Sequence, residues 1–174
     1  GPNEWRPHQT ASAYNAMIAP LTQFAIAGAI WYQGESNVGE ALLYDKLMRN
    51  MIGSWRKAWN KELPFYYVQI APFKYGRKYG SALLREAQMK TMGLPKTGMV
   101  VISDLTENVQ DIHPRQKRGV GERLAGWALA ETYNKPVGAY RSPQYKNLEI
   151  KKDKAVVYFD HAPEGLMIKS NDKK

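Results

Sequence analysis

Three apolar runs separate stretches of helical periodicity along the first three quarters of the chain. They cover residues 26–33, 65–70 and 98–103. The first run has no polar position between residues 24 and 31, which is typical of a parallel strand covered on both faces. The other two are rich in aromatic or β-branched residues, as strands usually are. We therefore predict three buried strands that lie adjacent and parallel in one sheet.

The segment after the first strand has helical periodicity. It carries an apolar residue at every fourth position, and this spacing predicts a helix over residues 40–59 whose apolar stripe packs on the sheet. The stripe consists of Leu43, Leu47, Met51, Trp55 and Trp59.

Two further helices are predicted downstream. Ser81 is a suitable N-cap for a helix over residues 81–92. Val120 and Leu124 outline a later helix that has Pro114 in its first turn. Strands and helices that alternate in this way indicate an α/β fold with a parallel sheet and helices on both faces.

The pattern changes after residue 136. Two short apolar runs, residues 148–150 and 155–159, flank a lysine-rich stretch, which predicts a β-hairpin. We place a domain boundary here, so that residues 1–138 form the α/β unit and residues 139–174 begin a β-rich domain or extension. A hairpin alone is marginally stable in water, so this one must pack against another part of the protein.

The formal net charge of +9 raises the question of a nucleic-acid partner. The basic residues lie in three separate places, around residues 74–78, 115–118 and 151–154, without an interleaved motif of stacking aromatic residues. Solvated surfaces account for this distribution, and attraction of an anionic small substrate is the functional alternative. We expect no nucleic-acid partner.

The sequence does not indicate membrane association, disulfide bonds or metal binding. The longest apolar run is too short to cross a bilayer, so we expect no membrane association. The chain has no cysteine, and its three histidines lack the spacing of metal-binding motifs. We therefore expect neither a metal nor an organic cofactor.

Five polar or small residues follow the first predicted strand directly, namely Gln33, Gly34, Glu35, Ser36 and Asn37. They are candidates for ligand binding because ligands gather at the carboxyl ends of strands in open α/β sheets. In the structural alternative, Asn37 caps the next helix and Gly34 supplies a permissive backbone, which leaves Gln33 and Glu35 unexplained. Ser36 lies where a nucleophile can lie, but its surroundings miss the G-x-S-x-G motif by one residue.

A second polar group, Asp111 and His113, precedes the last predicted helix. The positive end of that helix would disfavour an imidazolium and keep His113 available as a base, which Asp111 would orient. In the structural alternative Asp111 caps the helix and His113 fills a loop. Because both groups leave the carboxyl ends of parallel strands, we expect Gln33, Glu35, Ser36 and His113 to line one pocket.

These residues resemble a known family. Residues 31–37 read Trp-Tyr-Gln-Gly-Glu-Ser-Asn, and residues 111–114 read Asp-Ile-His-Pro with Lys117 downstream. This combination resembles the sialate O-acetylesterases within the SGNH (GDSL-like) hydrolases. Residues 14–21 are similar to the segment that precedes the first motif in that family, and the resemblance covers roughly residues 10–125.

The resemblance implies a flavodoxin-like three-layer sandwich and serine-type hydrolysis of O-acetyl groups from sialic acid or related sugars. It implies that His113 is the base, with Asp111 beside it, and that residues 33–37 bind substrate or the oxyanion through Gln33 or Asn37. It also implies a secreted or periplasmic protein that needs no cofactor.

The chain departs from the family pattern in two ways. The family nucleophile lies in a Gly-Gln-Ser-Asn block on an earlier strand, and this sequence contains no such block. We therefore expect residues 1–138 to be the C-terminal part of a catalytic domain, completed by a preceding segment or a second chain, and inactive or merely carbohydrate-binding alone. Other SGNH enzymes have Asp three residues before the histidine, where this chain has Gln110, so Asp111 as triad acid stays open.

Overall fold

A computed structural model describes residues 9–167, and its centre is a three-stranded sheet. The strands are β1 (Ala29–Tyr32), β2 (Phe65–Val68) and β3 (Thr97–Val100), in the spatial order β1-β2-β3. Both neighbouring pairs are parallel, with Ala29 beside Phe65 and Phe65 beside Thr97. The predicted parallel arrangement is confirmed.

Three longer helices connect and follow the strands: α1 (Ala41–Ala58), α2 (Gly80–Thr91) and α3 (Lys117–Trp127). Within residues 9–167 no helix is both long and apolar enough to cross a membrane. Five single-turn or irregular helical segments complete this part of the chain, at Tyr14–Ile18, Ala19–Leu21, Glu35–Glu40, Ser103–Leu105 and Ala128–Thr132.

The sheet is covered on both faces, which gives three layers. Successive side chains of β2 alternate, so Phe65 and Tyr67 pack with α1 and α2 while Tyr66 and Val68 pack with α3. All four residues of β2 are buried. Gly98 on β3 lies directly under the Trp127 ring, where a Cβ atom would collide with it. The predicted α/β class with helices on both faces is confirmed.

The prediction that the first strand is buried on both faces is wrong for β1. Within residues 9–167, β1 is an edge strand with one neighbour, and Ile30 is 68% exposed. The sequence signal for burial is real, because Trp31 packs against Trp55 and Phe65. What the described residues lack is a cover for the opposite face of β1.

The predicted apolar stripe of α1 is also wrong in its first half. Leu43 and Leu47 are exposed, and the side chains that face the sheet are those of Ala41, Tyr44, Met48 and Ile52. An α-helix has 3.6 residues per turn, so a strict four-residue repeat drifts around the axis by about 40° per step. Of the five predicted residues, only Met51 and Trp55 therefore reach the core cluster.

Two predicted helix starts shift. Helix α2 begins at Gly80 after Tyr79, which has a left-handed φ of 63°, so Ser81 is not its N-cap. Helix α3 begins at Lys117, so Pro114 lies before the helix and not in its first turn.

The predicted hairpin is confirmed as β4 (Gln144–Lys151) and β5 (Lys154–Asp160), which are antiparallel. It is mostly exposed, and the segment just before it packs on the α/β unit. Tyr140 makes an edge-to-face contact with Trp127, with ring centroids 5.3 Å apart, and Arg141 pairs with Glu131 at 2.5 Å. The division into residues 1–138 and 139–174 stays a prediction.

Candidate active site

A cavity of about 420 Å³ opens at the carboxyl edge of the sheet. The cavity lies between the loop after β1 and the loop before α3. This position was expected, because the carboxyl ends of parallel strands lie at one edge of the sheet. Its lining residues are Tyr32, Glu35, Ser36, Ile112, His113 and Lys117. The prediction that Glu35, Ser36 and His113 share one pocket is confirmed.

Gln33 does not line this pocket, and that part of the prediction is wrong. Gln33 and Asn37 face a neighbouring cavity, also of about 420 Å³, which is lined by Trp31, Tyr44 and Met48 among others. Neighbouring positions along a strand point to opposite faces, which separates Gln33 from Tyr32.

The turn after β1 is held by hydrogen bonds within the turn and by one from Tyr44 on α1. Gln33 Nε2 donates to Asn37 Oδ1 at 2.7 Å, and the backbone N–H of Asn37 donates to the Gly34 carbonyl at 2.8 Å. The Tyr44 hydroxyl donates to the Gln33 carbonyl at 3.0 Å. Asn37 makes no side-chain cap to α1, so the capping alternative is wrong for this residue.

Gly34 is the residue that makes this turn possible. Its φ is +149°, which is strained for any residue with a side chain, and a Cβ atom would lie 2.8 Å from Ile70 Cγ2. The chain therefore passes close to the loop after β2 before it turns into the short helix Glu35–Glu40.

The loop that carries His113 is more exposed to solvent than the turn after β1. The His113 side chain is 88% exposed, and its Nδ1 lies 4.0 Å from Asp111 Oδ1, beyond hydrogen-bond distance. The same carboxylate oxygen accepts a hydrogen bond from the His113 backbone N–H at 2.9 Å. Asp111 thus shapes a local turn in this arrangement. A backbone bond of 2.9 Å from Lys74 to Val109 ties this loop to the one after β2.

At the pocket, the hydroxyl groups of Tyr32 and Tyr75 are buried and have no hydrogen-bond partner within residues 9–167. Burial, assisted by the nearby Glu35 carboxylate, raises the pKa of Tyr75 to about 12. Burial and Glu35 likewise raise the pKa of Tyr32. The Lys117 ammonium lies over the Tyr32 ring, 4.7 Å from its centroid, and so places a positive charge at the rim of the pocket.

The sequence reasoning missed several residues around the site. Tyr32 was identifiable, because it is the last residue of the strand and faces away from Trp31. Tyr44, Tyr75 and Gln88 lie far away in sequence and carry no motif. Among residues 9–167 no group of three or more acidic or histidine side chains is arranged to hold a metal ion.

A parallel sheet covered by helices on both faces, with histidine and serine in one pocket at its carboxyl edge, is consistent with an SGNH-like hydrolase. Comparison with known proteins agrees. Residues 2–134 match the profile of the family described as carbohydrate esterase, sialic acid-specific acetylesterase. The chain belongs to this family.

Individual relatives point the same way. The chain is 28% identical to a sialate O-acetylesterase of Mus musculus over 188 residues, covering 97% of this chain and 35% of the relative. It is 30% identical to the Rattus norvegicus protein of that name, covering 79% and 29% respectively. A crystal structure of a carbohydrate acetylesterase from Xanthomonas citri superposes with a TM-score of 0.77 at 44% identity, covering 84% of this chain and 35% of that one. The chain spans about a third of the length of the curated relatives it matches.

Proposed function

We propose that the whole protein hydrolyses O-acetyl esters on sialic acid or a related sugar. The observation that carries this proposal is the pocket in which His113 faces the Glu35–Ser36 turn, in a chain of the acetylesterase family. The relatives named sialate O-acetylesterase support the substrate class.

In this proposal His113 is the general base of a two-step acyl transfer. It takes the proton of a serine hydroxyl as that oxygen attacks the acetyl carbonyl, and it gives the proton to the sugar oxygen as the ester bond breaks. Water then attacks the acetyl-serine, with its proton taken by His113, and acetate leaves as the proton returns to the serine. The exposure of the imidazole is compatible with both transfers.

We propose that the attacking serine lies outside residues 9–167. Two observations support this. Within residues 9–167, β1 has a neighbouring strand on one side, and its other side is open near the cavity beside Gln33. A further parallel strand on that side would bring its carboxyl end next to the pocket. Ser36, the serine that lines the pocket, is exposed, and within residues 9–167 its hydroxyl makes no hydrogen bond to the His113 imidazole.

The turn at residues 33–37 would supply the oxyanion or substrate contacts. Gln33 faces the neighbouring cavity, where its Nε2 donates to Asn37, so in this proposal it holds the turn and does not contact the oxyanion itself. Glu35 lines the pocket itself and is placed to contact the sugar. Asp111 contributes by holding the His113 backbone.

The test compares the 174-residue chain with the full-length protein on an O-acetylated sialic acid. We expect turnover by the full-length protein, little by the chain alone, and in the Ser36→Ala variant of the full-length protein a loss far smaller than the loss of a nucleophile would cause. Molecular mass in solution is measured alongside, because a second chain can complete the sheet.

Two results would overturn parts of this proposal. Turnover by the 174-residue chain that disappears in Ser36→Ala would make Ser36 the nucleophile. Binding of acetylated sugar by the full-length protein without any hydrolysis would instead favour a carbohydrate-binding scaffold.

A further inference from the structure

Gln88 on α2 is a polar side chain in a place where the core is otherwise apolar. It is 0% exposed, and its neighbours on the same face of α2 are Leu84 and Ala87 in the core cluster. An amide buried without partners loses its bonds to water and gains none in return, so a buried glutamine has to be hydrogen-bonded.

The Gln88 amide makes its bonds at the point where β1 and β2 part. Its Oε1 accepts from the Ile70 backbone N–H at 3.0 Å, and its Nε2 lies 3.4 Å from the Gln33 carbonyl and 3.4 Å from the Val68 carbonyl. The last paired residues of the two strands are Tyr32 and Val68. Gln88 therefore joins two backbone segments just beyond the last pair of the ladder.

Tyr44 completes this arrangement from α1. Its hydroxyl donates to the same Gln33 carbonyl at 3.0 Å. A Cβ atom on Gly34 would lie 3.2 Å from Gln88 Nε2 and 3.5 Å from the Tyr44 hydroxyl. The two side chains thus enclose the Gln33–Gly34 peptide, and the direction in which the chain leaves this peptide sets where Glu35 and Ser36 lie.

We propose that Gln88, with Tyr44, is a positioning residue that fixes the Gln33–Gly34 turn and thereby places Glu35 and Ser36 in the pocket opposite His113. Gln88 does not line that pocket, so it acts through the turn. The role in catalysis rests on the proposed function, whereas the control of the turn does not.

Thr91 offers a matched control. It lies one turn further along α2, is also 0% exposed, and donates a side-chain bond to Asp45 Oδ1 at 2.9 Å. Thr91→Val removes a buried hydrogen bond from the same helix without touching the Gln33–Gly34 turn. Its loss of stability should therefore resemble that of Gln88→Met, while its effect on the site should not.

The experiment compares Gln88→Met, Tyr44→Phe and Thr91→Val in the full-length protein, each assayed well below its melting temperature. Amide hydrogen exchange is followed in the peptide that contains Asn37, whose N–H bonds to the Gly34 carbonyl, and in a peptide from β3 as reference. Turnover of an O-acetylated sialic acid gives kcat and KM.

For Gln88→Met we expect faster exchange at Asn37, unchanged exchange in β3, and a loss of about 10²-fold in kcat/KM that lies mainly in kcat, because a small misplacement of catalytic groups has an effect of this size. Tyr44→Phe should show the same pattern more weakly, and Thr91→Val should leave both the turn and kcat close to the parent.

The proposal is overturned if Gln88→Met matches Thr91→Val in both exchange and kcat. If Gln88→Met does not fold, Tyr44→Phe decides: unchanged exchange at Asn37 in that variant contradicts the proposal. A parent protein without esterase activity refutes the proposed function alone, and the exchange measurement still decides whether Gln88 holds the turn.

Discussion

The two loops that form the pocket are built in opposite ways. The turn at residues 33–37 is enclosed by the core, with Gly34 buried against Ile70 and with hydrogen bonds from Tyr44 and Gln88. The loop at residues 111–113 lies nearer the surface, with the His113 side chain 88% exposed, and the bond from the His113 backbone N–H to Asp111 shapes it. The turn at residues 33–37 is thus held by contacts with the core, whereas the loop at residues 111–113 is held mainly by its own local hydrogen bond.

This difference predicts how stability and activity will separate. Changes in the enclosed turn should lower both, since the same contacts hold the fold and the site. Changes in the exposed loop should lower activity while the free energy of unfolding barely moves, because surface substitutions usually stay within about 0.5 kcal/mol.

The largest effect is expected for His113→Ala. Loss of the proposed base should reduce kcat/KM of the full-length protein by about 10³-fold or more, with an almost unchanged melting temperature. Kinetics on an O-acetylated sialic acid and thermal unfolding measure the two quantities. His161→Ala is the matched control, because His161 is exposed and lies on another cavity, far from this loop in sequence. Equal activity in both variants would remove His113 from the mechanism.

Gly34→Ala tests the enclosed turn. The new Cβ would meet Ile70 at 2.8 Å in a backbone region that disfavours side chains, so we expect a loss of roughly 2–4 kcal/mol in unfolding free energy, together with lower activity. Chemical denaturation provides the measurement. Gly53→Ala is the control: nothing lies within 4 Å of its Cβ position in the interior of α1, so it should stabilise by about 0.5–1 kcal/mol. A neutral Gly34→Ala would show that the turn is not confined.

Two substitutions of Asp111 distinguish a carboxylate that only shapes the loop from one that acts on the imidazole. Asn can accept the bond from the His113 backbone, so Asp111→Asn should keep activity within about three-fold, whereas Asp111→Ala should lose about ten-fold through a looser loop. Kinetic assays of both variants decide. If Asn is as damaging as the loss of a triad acid, typically about 10⁴-fold, the carboxylate acts on the imidazole during the reaction.

The smallest effect is expected for Tyr75→Phe. The Tyr75 hydroxyl is buried and has no hydrogen-bond partner in the described part of the chain, so its removal should be neutral or slightly stabilising at pH 7. Its pKa is raised to about 12 in the folded protein, against about 10 when unfolded. Because the unfolded state then ionises before the folded one, the unfolding free energy keeps its full value below pH 10 and falls as the pH rises through 12. Tyr75→Phe should lessen alkaline unfolding over that window, and an unchanged pH profile would contradict this.

The sequence was sufficient for the elements that depend on local pattern. The apolar runs identified the three strands of the parallel sheet. The alternation of strands with helices predicted that these strands are parallel and adjacent, because it leaves few other topologies. The polar residues after β1 and before α3 could be placed at one edge for the same reason. The wrong predictions concern burial and side-chain direction. Ile30 lies in an apolar run typical of a buried strand, but it is exposed in the structure. Gln33 faces away from His113.

Gln88 shows why part of the site was not predictable. A glutamine within a helix is most often a surface residue, and no spacing distinguishes it from Gln110 or Gln116. Its importance comes from Gln33 and Ile70, which are distant in sequence and meet it only in the folded protein. The secreted or periplasmic location and the start of a β-rich domain after residue 138 stay predictions.

Strand β1 also has a consequence for handling the protein in solution. Ala29–Tyr32 contains neither proline nor a charged residue, the usual devices that keep edge strands from pairing with other molecules. Wherever its outer side stays uncovered, the backbone groups of β1 form a template for aggregation. Light scattering from the 174-residue chain should therefore rise steeply with concentration, and a lysine in place of the exposed Ile30 should act as a gatekeeper that improves solubility.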